Sequence, residues 1–175
     1  MWFRNDLRIE DNQAFSDSLK SDSVILVYIL DCNYFKDETT SSFHIHFIKN
    51  CLEGLEIDLK NKFNACLNIY YGDTLDILRN LINKYGISHV YSHNIFKESY
   101  IRKLNNDCQS LFDYKNIKWK KFDQFGIQLQ NRDRASWSSD WKKIMSKKII
   151  NNHYNSCKFI DDFKFNMSKI KTNKV

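Results

Sequence analysis

Residues 1–15, MWFRNDLRIEDNQAF, decide how this chain is read. Three apolar residues (Met1, Trp2, Phe3) run straight into Arg4, Asn5, Asp6, Leu7 and Arg8, and Glu10, Asp11 and Asn12 follow with the composition of a helix start. An apolar run that breaks into charge and then into capping residues describes a short buried strand, its exit loop and the next helix. In open α/β sheets such exit loops form the ligand crevice. Charged groups on a partly buried lip are costly unless they are paired or bound. Two readings follow: a binding lip, or a turn in which Asp6 pairs with Arg4 or Arg8 to hold the loop.

Outward from this stretch, strand and helix patterns alternate. Asp11 or Asn12 caps a helix to about Lys20, with Phe15 and Leu19 on one face. Residues 23–30 (SVILVYIL) form a continuous β-branched run, as expected of a strand covered on both faces. Residues 31–40 are a polar connection. A long helix then starts at Ser41 or Ser42 and runs to about Phe63, with Ile45, Ile48, Leu52, Leu55 and Leu59 stepping by three and four. Residues 65–71 are a third strand, Asp73 caps a helix to Tyr85, and Gly86 ends it. Strands over 87–92 and 116–122 flank a helix from about Glu98 to Phe112, and a last helix spans 138–150. This order predicts an α/β fold: a doubly wound, Rossmann-like, five-stranded parallel sheet with helices on both faces. Residues 1–135 are assigned to that domain, 136–150 to the helix after it, and 151–175 to a loosely ordered basic tail.

Composition narrows the function classes. At 42% hydrophobic and 15% aromatic, the 175 residues can build an ordinary core. No run is long and apolar enough for a transmembrane helix, and the start does not read as a secretory leader. The five cysteines are scattered with no C-x-x-C pair, which predicts reduced thiols and a cytoplasmic protein. The net charge of +6 is uneven: nine lysines against Asp161 and Asp162 give 142–175 a charge of +7, leaving the body at −1. Any contact with DNA would be indirect, or weak and salt-sensitive through that tail. The sequence contains no G-x-G-x-x-G, Walker loop or G-x-S-x-G elbow. His44 and His46 are two apart, on different sides of a helix, so no metal site and no self-contained catalytic constellation is predicted.

The stretch WFRNDLRIEDNQAF resembles the N-terminal signature of the photolyase/cryptochrome family: aromatic-Phe-Arg-x-Asp-Leu-Arg, then Asp-Asn. The likeness extends through VILVYILD, through the helix carrying Phe47, Ile48, Cys51 and Leu52, and through the Gly72–Asp73 step. VYSHNIFKESYIRK, with Ser92 and His93, is similar to one bacterial branch. So is the late segment with Trp119, Gln124, Gly126, Arg134, Trp137, Trp141 and Met145.

The resemblance implies a deoxyribodipyrimidine photolyase (a lyase) or a relative. In that family this α/β domain holds a light-harvesting antenna chromophore, and a larger helical domain holds FAD and the pyrimidine dimer. That helical domain is not among these residues, so the chain is expected to be inactive without a separate FAD-binding helical partner. Trp119, Trp137 and Trp141 are expected to pack, not to relay electrons. Where folate-binding members carry an Asn-Glu pair, Tyr100 and Ile101 stand before Arg102, and a family arginine is replaced by His44. A deazaflavin or flavin antenna is therefore favoured over a folate, with Arg4, Asp6, Arg8, Asp31, Asn94 and Glu98 as its candidate ligands. Relatives usually carry several residues ahead of the Trp-Phe-Arg stretch, so the first strand is expected to be short. Two alternatives stay open: a non-enzymatic nucleotide- or flavin-binding module, and a truncated remnant without function.

Overall fold

In the computed structural model, residues 1–36, 41–95, 99–123, 134–150 and 156–167 are described. In chain order the elements are β1 (Trp2–Phe3), α1 (Gln13–Ser18), β2 (Ser23–Ile25), β3 (Val27–Asp31), α2 (Cys32–Lys36), α3 (Ser42–Phe63), β4 (Asn68–Gly72), α4 (Thr74–Tyr85), β5 (His89–His93), α5 (Ser99–Tyr114), β6 (Lys118–Phe122), α6 (Arg134–Met145) and β7 (Lys158–Ile160). Local chemistry sets the helix ends. The side chains of Asn12, Ser41 and Asp73 accept backbone N–H groups at the starts of α1, α3 and α4. Asn64 and Gly86, both at positive φ, end α3 and α4.

Every ladder is parallel, as alternation of strand and helix requires. Side chains along residues 24–30 alternate between two apolar clusters. Val24, Leu26, Tyr28 and Leu30 join Phe3, Phe15, Leu52, Leu55 and Leu59. Ile25, Val27 and Ile29 join Trp2, Leu78, Leu81, Val90, Leu104 and Phe112. One cluster therefore takes in α1 and α3, the other α4 and α5.

The strands do not form the expected single five-stranded sheet. Their ladders make three sets, β1–β3–β4, β2–β7 and β5–β6. The reason is the length of β1. Two residues pair with Val27 and Tyr28 of β3 and pack beside β5, but form no ladder with it. The Met1 amino group sits buried where the strand begins, donating to the Ile25 carbonyl at 2.8 Å. Burial lowers its pKa to about 5.

Two other expectations differ from the structure. The connection after β3 contains a short helix, α2, and the last helix starts at Arg134, ahead of residue 138. The larger difference lies in the tail, read as loose from residue 151. Residues 156–167 are instead laced to the sheet. β7 pairs with β2, and Phe163, Lys164 and Phe165 then run along Ile69 of β4.

Buried Asn68 fastens that crossing with every hydrogen-bonding position of its amide. Nδ2 donates to the Leu26 and Ile160 carbonyls at 3.0 Å each, and Oδ1 accepts from the Asp162 and Phe163 N–H groups at 2.5 and 3.1 Å. Asp162 also accepts from Tyr70 at 2.5 Å and from Lys84, and Phe165 stacks on Tyr71. A pattern search misses such a strap because it is three residues of strand followed by irregular backbone.

Asn68→Ala should free four backbone groups at once. The expected loss is about 2–4 kcal/mol at roughly 1 kcal/mol per bond, read by chemical denaturation. Hydrogen exchange over 158–165 should quicken more than exchange in α4.

Candidate functional site

The exit of β1 is organised by one carboxylate. Asp6 is 1% exposed. Its Oδ1 accepts the Arg4 backbone N–H at 3.0 Å, and its Oδ2 accepts Asn12 Nδ2 at 3.1 Å and meets His93 Nδ1 at 2.7 Å. Asn12, itself fully buried, also donates to the Arg8 carbonyl at 2.8 Å and caps α1 through Phe15 N–H at 2.8 Å. The end of β1, the start of α1 and the end of β5 thus meet at a single side chain. Burial would raise the Asp6 pKa. The hydrogen bond and charge of His93, with the Arg4 N–H, outweigh it and hold the carboxyl below its ordinary value.

This settles how the loop holds its shape. Asp6 does bind the turn together, but through the Arg4 backbone, Asn12 and His93, not through either arginine side chain. Arg8 points outward and donates to the Asp11 carbonyl at 3.1 Å, away from Arg4.

The Arg4 side chain turns inward and is 6% exposed. Its guanidinium lies 4.6 Å from the Trp2 ring centre and donates to Asn105 Oδ1 of α5 at 2.9 Å. Among the described residues no carboxylate lies within ion-pair distance of it. Burial lowers its pKa to about 10, opposed by Cys108 and Asp6, so it stays a cation at neutral pH.

Asp31, at the end of β3, is 9% exposed. It accepts the Asn33 N–H at 2.8 Å and the Thr74 hydroxyl at 2.5 Å. The Tyr100 phenol on α5 is half-buried, and burial first, then the Asp31 carboxylate, raises its pKa. Arg4 and Asp31 act on the same buried thiol. Burial pushes Cys108 up to about 12, the Arg4 charge opposes that, and Asp107, Asp31 and Asp73 add to it. The ends of β1 and β3 lie side by side in one ladder, and Arg4 reaches α5 through Asn105.

Asn94 is spent on structure: its side chain donates to Asp123 at 2.7 Å and its backbone N–H to the Phe122 carbonyl, closing the end of β5 onto β6. Glu98 lies outside the described residues. Of the six candidates, Arg4 and Asp31 stand at the ends of adjacent strands, Asp6 holds the exit of β1, and Arg8 and Asn94 make their contacts elsewhere.

Sequence reasoning did not pick out Asn105 as the partner of Arg4 or Thr74 as that of Asp31, because each sits on a helix whose rotation it could not fix. His93 was visible only as a motif position. Trp119 does pack, 6.1 Å from Trp2, with its Nε1 donating to Ser92 at 2.9 Å. Among the described residues no group of His, Cys, Asp and Glu could hold a metal, and no helix is long and apolar enough to cross a membrane.

The family model for DNA photolyase matches residues 1–125. The chain belongs to the DNA photolyase family. A cryptochrome DASH of Solanum lycopersicum is 33% identical over 100 residues, covering 53% of this chain and 17% of the relative. The archaeal photolyase of Sulfolobus tokodaii, solved with two FAD molecules, superposes with a TM-score of 0.75 at 21% identity, over 95% of this chain and 39% of that one. A bacterial class III photolyase from Agrobacterium tumefaciens gives 0.76 at 20%, over 98% and 37%. The chain thus spans about a sixth of the length of that cryptochrome and under two fifths of each solved photolyase.

A group whose folded pKa is depressed stabilises the fold above its unfolded pKa, and that contribution is lost as pH falls through the folded value. For Asp6 the loss begins below about pH 4. Denaturation across pH 2.5–7 should show wild-type stability falling over the acid end of this range. Asp6→Asn should start about 2–4 kcal/mol lower at pH 7 and show a flatter acid limb.

Proposed function

We propose that this chain is the chromophore-binding α/β unit of a photolyase-type protein, serving light-dependent repair of pyrimidine dimers together with a separate FAD-binding helical partner. The observation that carries the reading is the buried Arg4 guanidinium. It is a cation backed by an aromatic ring and held by Asn105, without a carboxylate partner among the described residues, and the Asp31–Thr74 pair stands at the end of the adjacent strand. A buried cation in that setting suits an electron-rich, hydrogen-bonding ring system. Arg4 and Asp31 would hold the group, Tyr100 and Asn105 would orient it, and Asp6 with His93 would keep the lip in place.

When bound, the chromophore would supply light absorption. The chain's own residues bind, orient and shield it. A flavin or deazaflavin suits this lip better than a folate, whose expected Asn-Glu pair is Tyr100 and Ile101 here. The Sulfolobus photolyase, solved with two FAD molecules and with the implication of a novel light-harvesting cofactor, supports a flavin in such a role. A helical partner is supported by α6, where Trp137, Trp141 and Met145 lie four apart and are all exposed.

The purified chain should retain FAD or a deazaflavin through gel filtration, read by visible absorbance, and should not retain a reduced folate. Arg4→Met should weaken that affinity by about tenfold to a hundredfold, the worth of one charge-assisted bond. Retention of ATP without any flavin would favour the nucleotide-binding module instead. Retention of none of these ligands would overturn the proposal.

A further inference from the structure

Residues 115–121 read KNIKWKK, four positive charges within a body (residues 1–141) whose net charge is −1. Most of this stretch is β6, which among the described residues ladders with β5 alone. Strand alternation sorts the lysines. Lys118 and Lys120 are exposed on one face of β6, about 6.6 Å apart at 3.3 Å per residue. Lys121 lies on the other face, its Nζ 4.4 Å from the Trp119 ring centre and donating to Gln109 Oε1 at 3.0 Å. Lys120 Nζ lies 5.2 Å from the Tyr91 ring centre, and Lys115 Nζ donates to Asn83 at 3.2 Å. Lys118 N–H donates to the Ser88 carbonyl, so the Trp119 and Lys121 N–H groups point away from β5.

Elsewhere lysines find carboxylates: Lys20 reaches Asp17 at 2.6 Å, Lys62 reaches Glu10 at 2.6 Å and Lys164 reaches Glu56 at 2.5 Å. Among the described residues, none of the four lysines at 115–121 makes such a pair, and rings and amides hold three of their heads. Beside them Tyr114, at the end of α5, is 82% exposed, with Lys115 Nζ 5.9 Å from its ring centre. Neighbouring like charges on one face of a strand repel. One lysine is enough to deter strand pairing at an edge. Four of them next to an open aromatic face match a partner with repeated negative charge and flat rings.

We propose that the β6 edge binds single-stranded nucleic acid without regard to sequence. Lys115, Lys118, Lys120 and Lys121 would neutralise phosphates, and the Trp119 and Lys121 N–H groups would donate to phosphate oxygens. Tyr114 would stack a base. A single strand is favoured over a duplex because only an unpaired base can lie flat on the Tyr114 ring. The site takes no residue from the candidate chromophore site and does not rest on that reading.

The probe is a fluorescein-labelled oligothymidylate of about twelve nucleotides, added to the full chain and followed by anisotropy over a salt series. With four phosphates neutralised, the logarithm of the binding constant should fall against the logarithm of salt with a slope of about −3. Lys118→Gln with Lys120→Gln should weaken binding about tenfold at low salt and bring the slope to about −1.5. Tyr114→Ala should weaken binding about tenfold with the slope unchanged. Lys147→Gln with Lys148→Gln, two exposed cations of the tail, should leave affinity within about twofold. These side chains are all exposed, so each variant should keep the wild-type melting temperature. An oligouridylate of the same length should bind equally well, since no part of the site reads the sugar. The proposal is overturned by no binding at low salt, by a loss from the tail variant equal to that from the β6 variant, or by no loss on Tyr114→Ala. It is also overturned by a duplex of the same length binding as tightly as the single strand.

Discussion

One buried carboxylate sets the geometry on which the rest depends. Asp6 can stay ionised out of water only because three donors reach it from three directions: the Arg4 N–H, Asn12 and His93. Each donor belongs to a different part of the fold, so satisfying the charge fixes where β1 ends, where α1 begins and how far β5 extends. Arg4 is then placed by its own backbone bond to Asp6. Its side chain is sent to the Trp2 ring and α5.

A second constraint works at the opposite edge. Asn68 satisfies four backbone groups and ties a segment from beyond residue 155 across the end of β4, which would otherwise present an unpaired edge. The two constraints divide the labour. Asp6 shapes the end where a ligand would sit, and Asn68 closes the sheet away from it. Between them lies β1, two residues that ladder with β3 alone among the described residues.

The sequence made the elements legible wherever period and caps agreed. The α3 face of Leu52, Leu55 and Leu59, the Asp73 cap and the Gly86 stop all stand where hydrophobic spacing and capping chemistry put them. The opening motif was sufficient for the family. Sheet assembly was not legible, because ladder formation by β1 depends on how many residues reach between its neighbours, which periodicity does not report. The strap was missed for the same kind of reason: its order comes from the Asn68 amide, 92 residues from Ile160. Arg4 and Asp31 were legible as strand-end charges. The partners that hold them, Asn105 and Thr74, lie on helices whose facing only packing sets.

Asp6 and His93 act as one unit that holds the exit of β1. A double-mutant cycle on Asp6→Asn and His93→Gln, followed by denaturation at pH 7, measures this directly. The two losses should be strongly non-additive, with a coupling of about 1–3 kcal/mol as expected for side chains in one buried network. Losses that add to within about 0.5 kcal/mol would show that the two residues stabilise the fold independently, and would contradict the claim.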